Sequence, residues 1–567
     1  MSVQAPARIH VLSQVVADRI AAGEVVERPA SVVKELVENA LDAGATAIAV
    51  DVEAAGATLL RVTDDGSGMH PDDLPLAVRR FATSKITEMD DLAGVRTLGF
   101  RGEALPSIAA VSHLEVTTAA RGQAAGRRIR LRGGEVEDEH AVGAPVGTVV
   151  TVRHLFFNTP ARRKFLKSPA REFALIVDAL QRLALAHPAV GFRLTHDGAD
   201  VLRYPPATPS DRAAAVFGER VMAQSLPVDH GRDGFAARGW LGRPELARGT
   251  RRQQFLYVNR RPVHSRMLAA AVEQAYEQII PSGRYPTYAL FIELPPGSVD
   301  VNVHPRKLEV RFDDDHRVYA AVGRVVRETL RAAQLLRGVS ASASAVPILT
   351  GVLPLESVPA AGGEVREAQS LAGGRLPAMR LLGQLHRTYL LAQGDAGLIV
   401  IDQHAAHERV LYERLLAARR RQGDAAQTLI TPQTVALSPG EFALYEQHAG
   451  LLRTLGYDLE PFGQHAVLVR AVPQIAAAGS AEHLLHDLLA QAAEDLPLGA
   501  VDSLLERLTI TTACRSAVRA GDVLDAEQMM RLLRDLAGTN DPFTCFHGRP
   551  TMVTLPVAQV ERWFLRR

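Results

Sequence analysis

The chain has 567 residues, 64 Lys and Arg against 63 Asp and Glu, a net charge of +1 and 47% hydrophobic residues; that length exceeds one hydrophobic core and points to three or four domains at about 150 residues each. Balanced charge rules out inferring a nucleic-acid partner from global electrostatics. No apolar run approaches the roughly 18 residues that span a bilayer and the opening residues 1–8 lack an apolar signal core, so no membrane span is expected; two cysteines, Cys514 and Cys545, are too few for a disulfide framework, and a reducing cytoplasm is the expected location.

In chain order, the first legible element is a helix opened by Pro29 and continued from Ala30 to Ala43. Glu35, Glu38, Asn39 and Asp42 fall on one stripe, and Val33, Leu36, Val37, Ala40 and Leu41 on the opposite face. Alone, the polar stripe equally suits a solvent-facing surface. Strands are expected at Ala47–Val52 and Thr58–Thr63, the second ending in Asp64-Asp65-Gly66-Ser67-Gly68. Glycines directly after a strand let backbone approach a ligand closely. Phe81 to Ile86, which contains Lys85, follows. Then Thr97-Leu98-Gly99-Phe100-Arg101-Gly102-Glu103-Ala104-Leu105 runs as a glycine-rich loop into a helix, a ready phosphate site. No Gly-x-x-x-x-Gly-Lys-Ser/Thr string occurs, which excludes a Walker-type loop.

Past Val216, strands at Gln254–Val258 and Tyr288–Leu294 alternate with a helical stretch, Met267–Ile279, which predicts an α/β domain. Residues 337–378 are rich in Ser, Ala, Gly and Pro and read as a linker. As a random coil it would span on the order of 35–40 Å. The basic clusters Arg127–Arg132, Arg162–Lys164, Arg251–Arg252 and Arg419–Arg421 permit phosphate contacts, whose signature would be salt-sensitive DNA affinity.

Nearer the C-terminus, the apolar run Leu398–Ile401 reads as a buried strand and leads into Asp402-Gln-His-Ala-Ala-His-Glu-Arg-Val-Leu-Tyr-Glu413. If a helix begins after Asp402, His404 and Glu408 share a face, with Asp402 beside them. Cys545-x-His547 adds a thiol and an imidazole. Carboxylate, imidazole and thiolate form the usual ligand set for zinc and related divalent ions. Glu413 lies roughly half a turn from His404 at about 100° per residue and reads as structural.

Several of these strings resemble a known family. Glu35–Asn39, Asp64-x-Gly66-x-Gly68, Gly99-Phe-Arg-Gly-Glu-Ala-Leu105 and Gly147-Thr148 look like the four nucleotide motifs of the gyrase, chaperone, histidine-kinase and MutL ATPase superfamily. Phe100–Leu105 and Asn158-Thr-Pro-Ala-Arg162 are narrower and are similar to the MutL family of DNA mismatch repair proteins. The string from Asp402 resembles the endonuclease motif of the members that nick DNA, and Ala513–Arg515 and Cys545–Pro550 resemble the remaining motifs.

The resemblance implies an α/β and α+β multidomain chain: a Bergerat-type ATPase α/β sandwich (1–215), an α/β transducer (216–336), the linker (337–378) and a C-terminal α/β dimerisation and endonuclease domain (379–567). Glu35 would be the general base for ATP hydrolysis. Asn39 would hold Mg²⁺. Asp64 would bind the adenine amino group, supported by Thr148 and the loop of Gly66 and Gly68. Lys85, Gly99, Phe100, Arg101 and Gly102 would line the phosphates, and Lys307, in Val301-Asn-Val-His-Pro-Arg-Lys307, would reach the γ-phosphate. Asp402, His404, Glu408, Cys545 and His547 would bind Zn²⁺ or Mn²⁺, with Cys514 nearby and with Asp402 and Glu408 catalytic in DNA cleavage. Two positions depart from the pattern: Asp65 where the family has Asn, and Phe546 where it has Pro. The extra charge of Asp65 is expected to alter phosphate or lid contacts. The resemblance also implies a homodimer that acts on DNA with a mismatch-recognition protein of the MutS type. Gln427–Pro432 is similar to a sliding-clamp motif. An alternative is an ATP-dependent matchmaker scaffold whose metal cluster is structural. A topoisomerase subunit or chaperone would share the ATP fold but lacks the strings at Asp402 and Cys545.

Overall fold

The expected first helix forms from Pro29 to Asp42 (α1). Arg28 is extended before Pro29 enters the first turn, as an N-terminal proline favours. Val33, Leu36, Val37 and Ala40 are buried, and so is Glu38, at 4% exposure. The acid-rich stripe is therefore not a solvent-facing surface. Strands β1 (Ala47–Glu53) and β2 (Leu59–Asp64) follow, each displaced about one residue from the predicted ends because the Ala54–Gly56 turn sets their joint. The structure is a computed structural model. It describes residues 25–85, 97–99, 101–232, 234–277, 279–280, 284–300, 310–335, 370–371, 375–420, 426–476, 480–493, 508–513, 523–545 and 549–564. Phe100, Lys307, Cys514, Phe546, His547 and most of the expected linker lie outside the described residues.

The chain divides into two units, 1–336 with 437–447, and 337–436 with 448–567. In the first, helix α2 (Ala104–Ala110), strands β3 (His113–Ala119), β4 (Gly126–Arg132), β5 (Glu135–Val142) and β6 (Gly147–Arg153), helix α3 (Pro169–Ala186) and strands β7 (Gly191–His196) and β8 (Ala199–Tyr204) complete the nucleotide-side fold. The eight strands form one sheet in the order β5-β4-β3-β6-β2-β1-β7-β8. Its neighbours are antiparallel except β1 and β7, which run parallel. α1 packs on α3, and Val33, Val37, Ile176 and Leu180 share one core with Val50 and Val62 of the sheet.

A helix α4 (Pro209–Phe217) leads into a second sheet, built from β9 (Ser225–Arg232), β10 (Phe235–Gly242), β11 (Gln254–Val258), β12 (Arg261–Pro262) and β13 (Tyr288–Glu293) in the order β12-β11-β13-β10-β9. Helices α5 (Arg266–Tyr276) and α6 (Asp315–Ala332) bury Leu268, Val272, Val322 and Val326 against it. The strand predicted over 254–258 is observed as such, and the helix predicted over 267–279 spans 266–276.

In the second unit, β14 (Ser370–Leu371), β15 (Met379–Leu385), β16 (Tyr389–Gly394) and β17 (Gly397–Asp402) join β21 (Met552–Pro556) in one sheet, in that order. Helices α7 (Gln403–Arg420) and α8 (Ala526–Ala537) bury Val410, Met530 and Leu533 against Ile399 and Ile401. β17 is thus not buried on both faces: Leu398 and Val400 are half-buried on the other side. A smaller sheet holds β18 (Ala426–Ala436), β20 (Ala466–Pro473) and β19 (Asp458–Pro461), in that order.

One buried cation ties the first unit together. Arg212 of α4 is 1% exposed and donates to the carbonyls of Ala184 (2.8 Å), Pro188 (3.1 Å), Val190 (2.9 Å) and Pro205 (2.7 Å). Its guanidinium also stands over the rings of Phe192 and Tyr204. Removing it strands several buried acceptors and opens a cavity. Arg212→Ala is therefore expected to destabilise this unit by on the order of 3 kcal/mol. A denaturant titration showing no shift of its unfolding transition would refute that role.

Candidate functional site

A cavity of about 890 Å³ opens beside α1. Glu35, Asn39, Asp64, Gly68, Lys85, Gly99, Arg101, Gly102 and Thr148 line it, with Leu36, Ala40, Val62, Met69 and Val150 as its apolar wall. Nine side chains or backbones selected from the sequence thus converge on one space. Gly66 is not among the lining residues, and its N–H is bonded to Asp64 Oδ1 at 2.9 Å.

At the apolar end, burial pushes the Asp64 carboxyl above its ordinary range, against the opposing N–H bonds from Gly66 and Thr148. Thr148 pairs with Asp64 across β2 and β6, and its hydroxyl meets that of Thr118 at 3.0 Å. Gly68 has φ of +67°, and a Cβ there would run into the Ala119 carbonyl. The expected effect of Asp65 on phosphate or lid contacts is not what its geometry shows. Its carboxylate turns away from the cavity and accepts from the N–H groups of Thr46 (2.7 Å) and Ala47 (2.8 Å) and from the Thr46 hydroxyl. Although burial opposes it, those bonds hold the Asp65 carboxyl below its usual range.

The polar end is organised by Asp42, which the sequence placed on the stripe but assigned no role. Its two oxygens accept from Leu98 N–H at 2.7 Å and Gly99 N–H at 2.9 Å. Lys85 Nζ donates to Asp42 at 2.6 Å and to Asn39 Oδ1 at 3.0 Å. An ammonium already seated on these oxygens shows that the pocket suits a cation, as a Mg²⁺ role for Asn39 requires. Gly102 has φ of +61° with the Ala82 carbonyl where a Cβ would lie, so backbone packs closely there. Glu35 accepts from Lys34 Nζ at 3.1 Å, and Glu38 takes the same ammonium at 2.8 Å. Burial works against that ammonium, yet Glu38 and then Glu35 outweigh it and hold its pKa above the usual range. Lys34 was missed because a lysine preceding a glutamate carries no pattern of its own.

In the second unit, Asp402 ends β17, and its Oδ1 accepts from the N–H groups of His404 (2.9 Å) and Ala405 (3.0 Å), capping α7. His404 Nε2 stands 3.3 Å from Glu408 Oε1, so the predicted shared face is real. Glu408 is 5% exposed and Cys545 2%. The segment carrying Cys545 is tied to the beginning of α7 from two sides. Arg409 Nε donates to Thr544 O at 2.7 Å, and Asp402 N–H donates to Thr551 O at 2.9 Å. Cys545 N–H in turn bonds Arg549 O at 2.9 Å. His407 turns elsewhere: burial, then Arg414, pushes its imidazole down to about 4. Glu413 accepts from Asn540 N–H and its side chain, a structural contact. Among the described residues no three His, Cys, Asp or Glu side chains gather as a metal group. Asp402, His404, Glu408 and Cys545, all described, supply donor types that suit a divalent ion but do not come together as such a group, and His547 and Cys514 fall outside those residues.

Of the basic clusters, Arg127–Arg132 is partly neutralised by acids of its own sheet: Arg127 pairs with Glu139 at 2.6 Å and Arg130 with Glu115 at 2.6 Å. In the Gln427–Pro432 stretch the β18–β20 pairing is interrupted between Thr428 and Gln433, and Ile430 is fully exposed.

Comparison with known proteins agrees with both ends. Residues 27–145 match the family described as histidine kinase-, DNA gyrase B- and HSP90-like ATPase. Residues 213–331 match the C-terminal domain of DNA mismatch repair protein, and 382–524 the MutL C-terminal dimerisation domain. Proteins named DNA mismatch repair protein MutL from Symbiobacterium thermophilum and Desulforudis audaxviator are 42% and 44% identical, each match covering 99% of this chain and 100% of the relative. The Geobacter sulfurreducens protein of the same name is 40% identical over 99% of this chain and its own full length. With a gyrase-type ATPase domain at one end and a dimerisation domain at the other, the chain belongs to the MutL family of DNA mismatch repair proteins.

Proposed function

We propose that this chain is an ATP-controlled DNA-nicking enzyme of mismatch repair that works as a homodimer with a mismatch-recognition protein. Residues 1–215 bind and hydrolyse ATP, 216–336 transduce, 337–378 tether, and 379–567 dimerise and cut. The single observation that carries the cutting role is the double tie between the Cys545 segment and the α7 start, through Arg409–Thr544 and Asp402–Thr551. Those bonds bring the backbone around Cys545 beside α7, the helix that carries His404 and Glu408 and follows Asp402, although the two stretches lie far apart in the chain.

In the ATP site, Glu35 accepts the proton of the attacking water, and Lys34 orients that carboxylate. Asn39 holds Mg²⁺, Lys85 and the Gly99–Gly102 backbone meet the phosphates, and Asp64 with Thr148 reads the adenine edge. Lys307, outside the described residues, would reach the γ-phosphate. In the C-terminal site, Asp402, His404, Glu408, Cys545 and His547 would hold Zn²⁺ or Mn²⁺, with Cys514 nearby. When bound, such an ion supplies a hydroxide at neutral pH and stabilises charge on the scissile phosphate. Dimerisation is favoured by the outward face of the β17 sheet, where Leu391, Val400 and Val553 line up across three strands. An apolar row of that kind is a natural partner-covered surface. Ile430, projecting where pairing breaks, suits capture by a sliding clamp. The work is placed in the cytoplasm.

A second reading, a matchmaker scaffold without cutting, is favoured by one observation: Asp402 Oδ1 is already committed to capping α7. Plasmid nicking separates the two. Asp402→Asn is expected to abolish manganese-dependent nicking of supercoiled DNA while ATP turnover stays near wild type. Nicking at the wild-type rate by that variant, or none by the wild type, would favour the scaffold. Glu35→Ala should keep ADP affinity within a few-fold yet lower kcat by about 10²–10⁴-fold. Normal turnover in that variant would remove Glu35 from the role of base.

A further inference from the structure

The segment Thr97–Gly99 is gripped from two sides by groups of opposite charge. Its N–H groups point at Asp42, as described. Its carbonyls point the other way, at Arg261: Nη1 donates to Leu98 O at 3.1 Å, and Nη2 donates to Thr97 O. Arg261 is not part of the ATPase sheet. It opens β12, at the edge of the second sheet, 163 positions along the chain from Leu98. It is 6% exposed, and among the described residues it has no salt-bridge partner. Glu38, Asp42 and Glu35 act on it only at longer range, while burial pulls its pKa below the usual range. A buried guanidinium satisfied by two peptide carbonyls is costly to place unless the contact has a use.

The backbone that presents Arg261 is stiff. Asn259 and Arg260 both lie in the left-handed region, with φ of 49° and 66°, and form the tight turn between β11 and β12. Directly behind the turn, Val258 pairs with Arg261 and Tyr257 with Pro262, and Val263 N–H bonds Leu256 O at 2.9 Å. Leu256 and Val258 belong to the core shared with α5 and α6. A displacement of Arg261 is therefore a displacement of β11, and β11 cannot move without its core.

We propose that Arg261 is a positioning residue that couples the phosphate loop to the second sheet, so that nucleotide at the cavity is registered as strain or relief in β11. The proposal rests on the nucleotide reading given above. Phosphate oxygens compete with Asp42 for Lys85 and for the Leu98 and Gly99 N–H groups. As those bonds exchange, the peptide planes of 97–99 turn, and their carbonyls carry Arg261 with them. The residue touches no reacting atom in this scheme. Its effect on turnover runs through loop position, where an error of about 1 Å can cost about a hundredfold in rate.

The test uses the full-length chain and two variants, Arg261→Met, which removes every donor, and Arg261→Lys, which keeps the charge and one donor. ADP affinity, kcat and KM for ATP, and hydrogen exchange with and without a non-hydrolysable ATP analogue and Mg²⁺ are measured. Coupling predicts that Arg261→Met keeps ADP affinity within about threefold and loses kcat by about ten- to a hundredfold. It also predicts that nucleotide-induced slowing of exchange in Gln254–Pro262 disappears, with Arg261→Lys between the two. A purely structural residue would not erase the nucleotide-dependent difference alone. Wild-type kcat with intact nucleotide-dependent protection of β11 in Arg261→Met would overturn the proposal, and so would loss of ADP binding in both variants. Failure of the unaltered chain to bind ADP would instead overturn the nucleotide reading itself.

Discussion

The carboxylate of Asp42 is the fixed point of the N-terminal site. It closes α1 and takes two backbone N–H groups from a segment 56 and 57 positions away, together with the Lys85 ammonium. Charge-assisted bonds of this kind are about twice as strong as neutral ones. Without them the Thr97–Gly99 segment has no reason to lie against α1, and the cavity loses one wall. Arg261 then grips the same segment from outside, so the loop has little freedom to drift.

α1 carries four acidic or amide groups on one stripe, and the fold answers each with a cation. Lys34 serves Glu35 and Glu38, Lys85 serves Asn39 and Asp42, and Arg261 adds positive potential from the neighbouring sheet. Buried carboxylates demand such partners, because an unpaired charge in a low-dielectric setting is far too costly. The arrangement leaves the site rich in oxygen acceptors whose present partners are lysines. A nucleotide with its metal ion can take over those partners, which is the physical content of a switch. The C-terminal neighbourhood follows a different plan: Asp402 is spent on capping α7, and the Cys545 segment is fastened by backbone bonds and Arg409.

Much of this was legible in the sequence because the nucleotide strings are local. Glu35 and Asn39 share a helical face by spacing alone, and a strand ending in Asp64-x-Gly-x-Gly predicts a close backbone approach. The grip on Thr97–Gly99 was not legible, since Asp42 and Arg261 reach it from 56 and 163 positions away and nothing in their surroundings marks them. The spacing left the stripe that carries Glu38 open between a solvent-facing surface and a site; Glu38 shares a lysine with Glu35 and so tolerates burial. Asp65 read as a perturbation of the phosphates because its charge was visible and its direction was not; it caps the start of β1 instead. The run Leu398–Ile401 looked uniformly buried because every residue in it is apolar, whereas only one face is covered by α7 and α8.

The most direct measurement is the dissociation constant of Mg²⁺-ADP for the full-length chain carrying Asp42→Asn. The amide keeps the shape of the side chain but gives up the charge that holds Lys85 and the two N–H groups. If Asp42 builds the phosphate end of the site, binding weakens by about tenfold or more, matching the 1.5–3 kcal/mol of a lost charged hydrogen bond. An unchanged constant would contradict it and would leave the loop held by something other than this carboxylate.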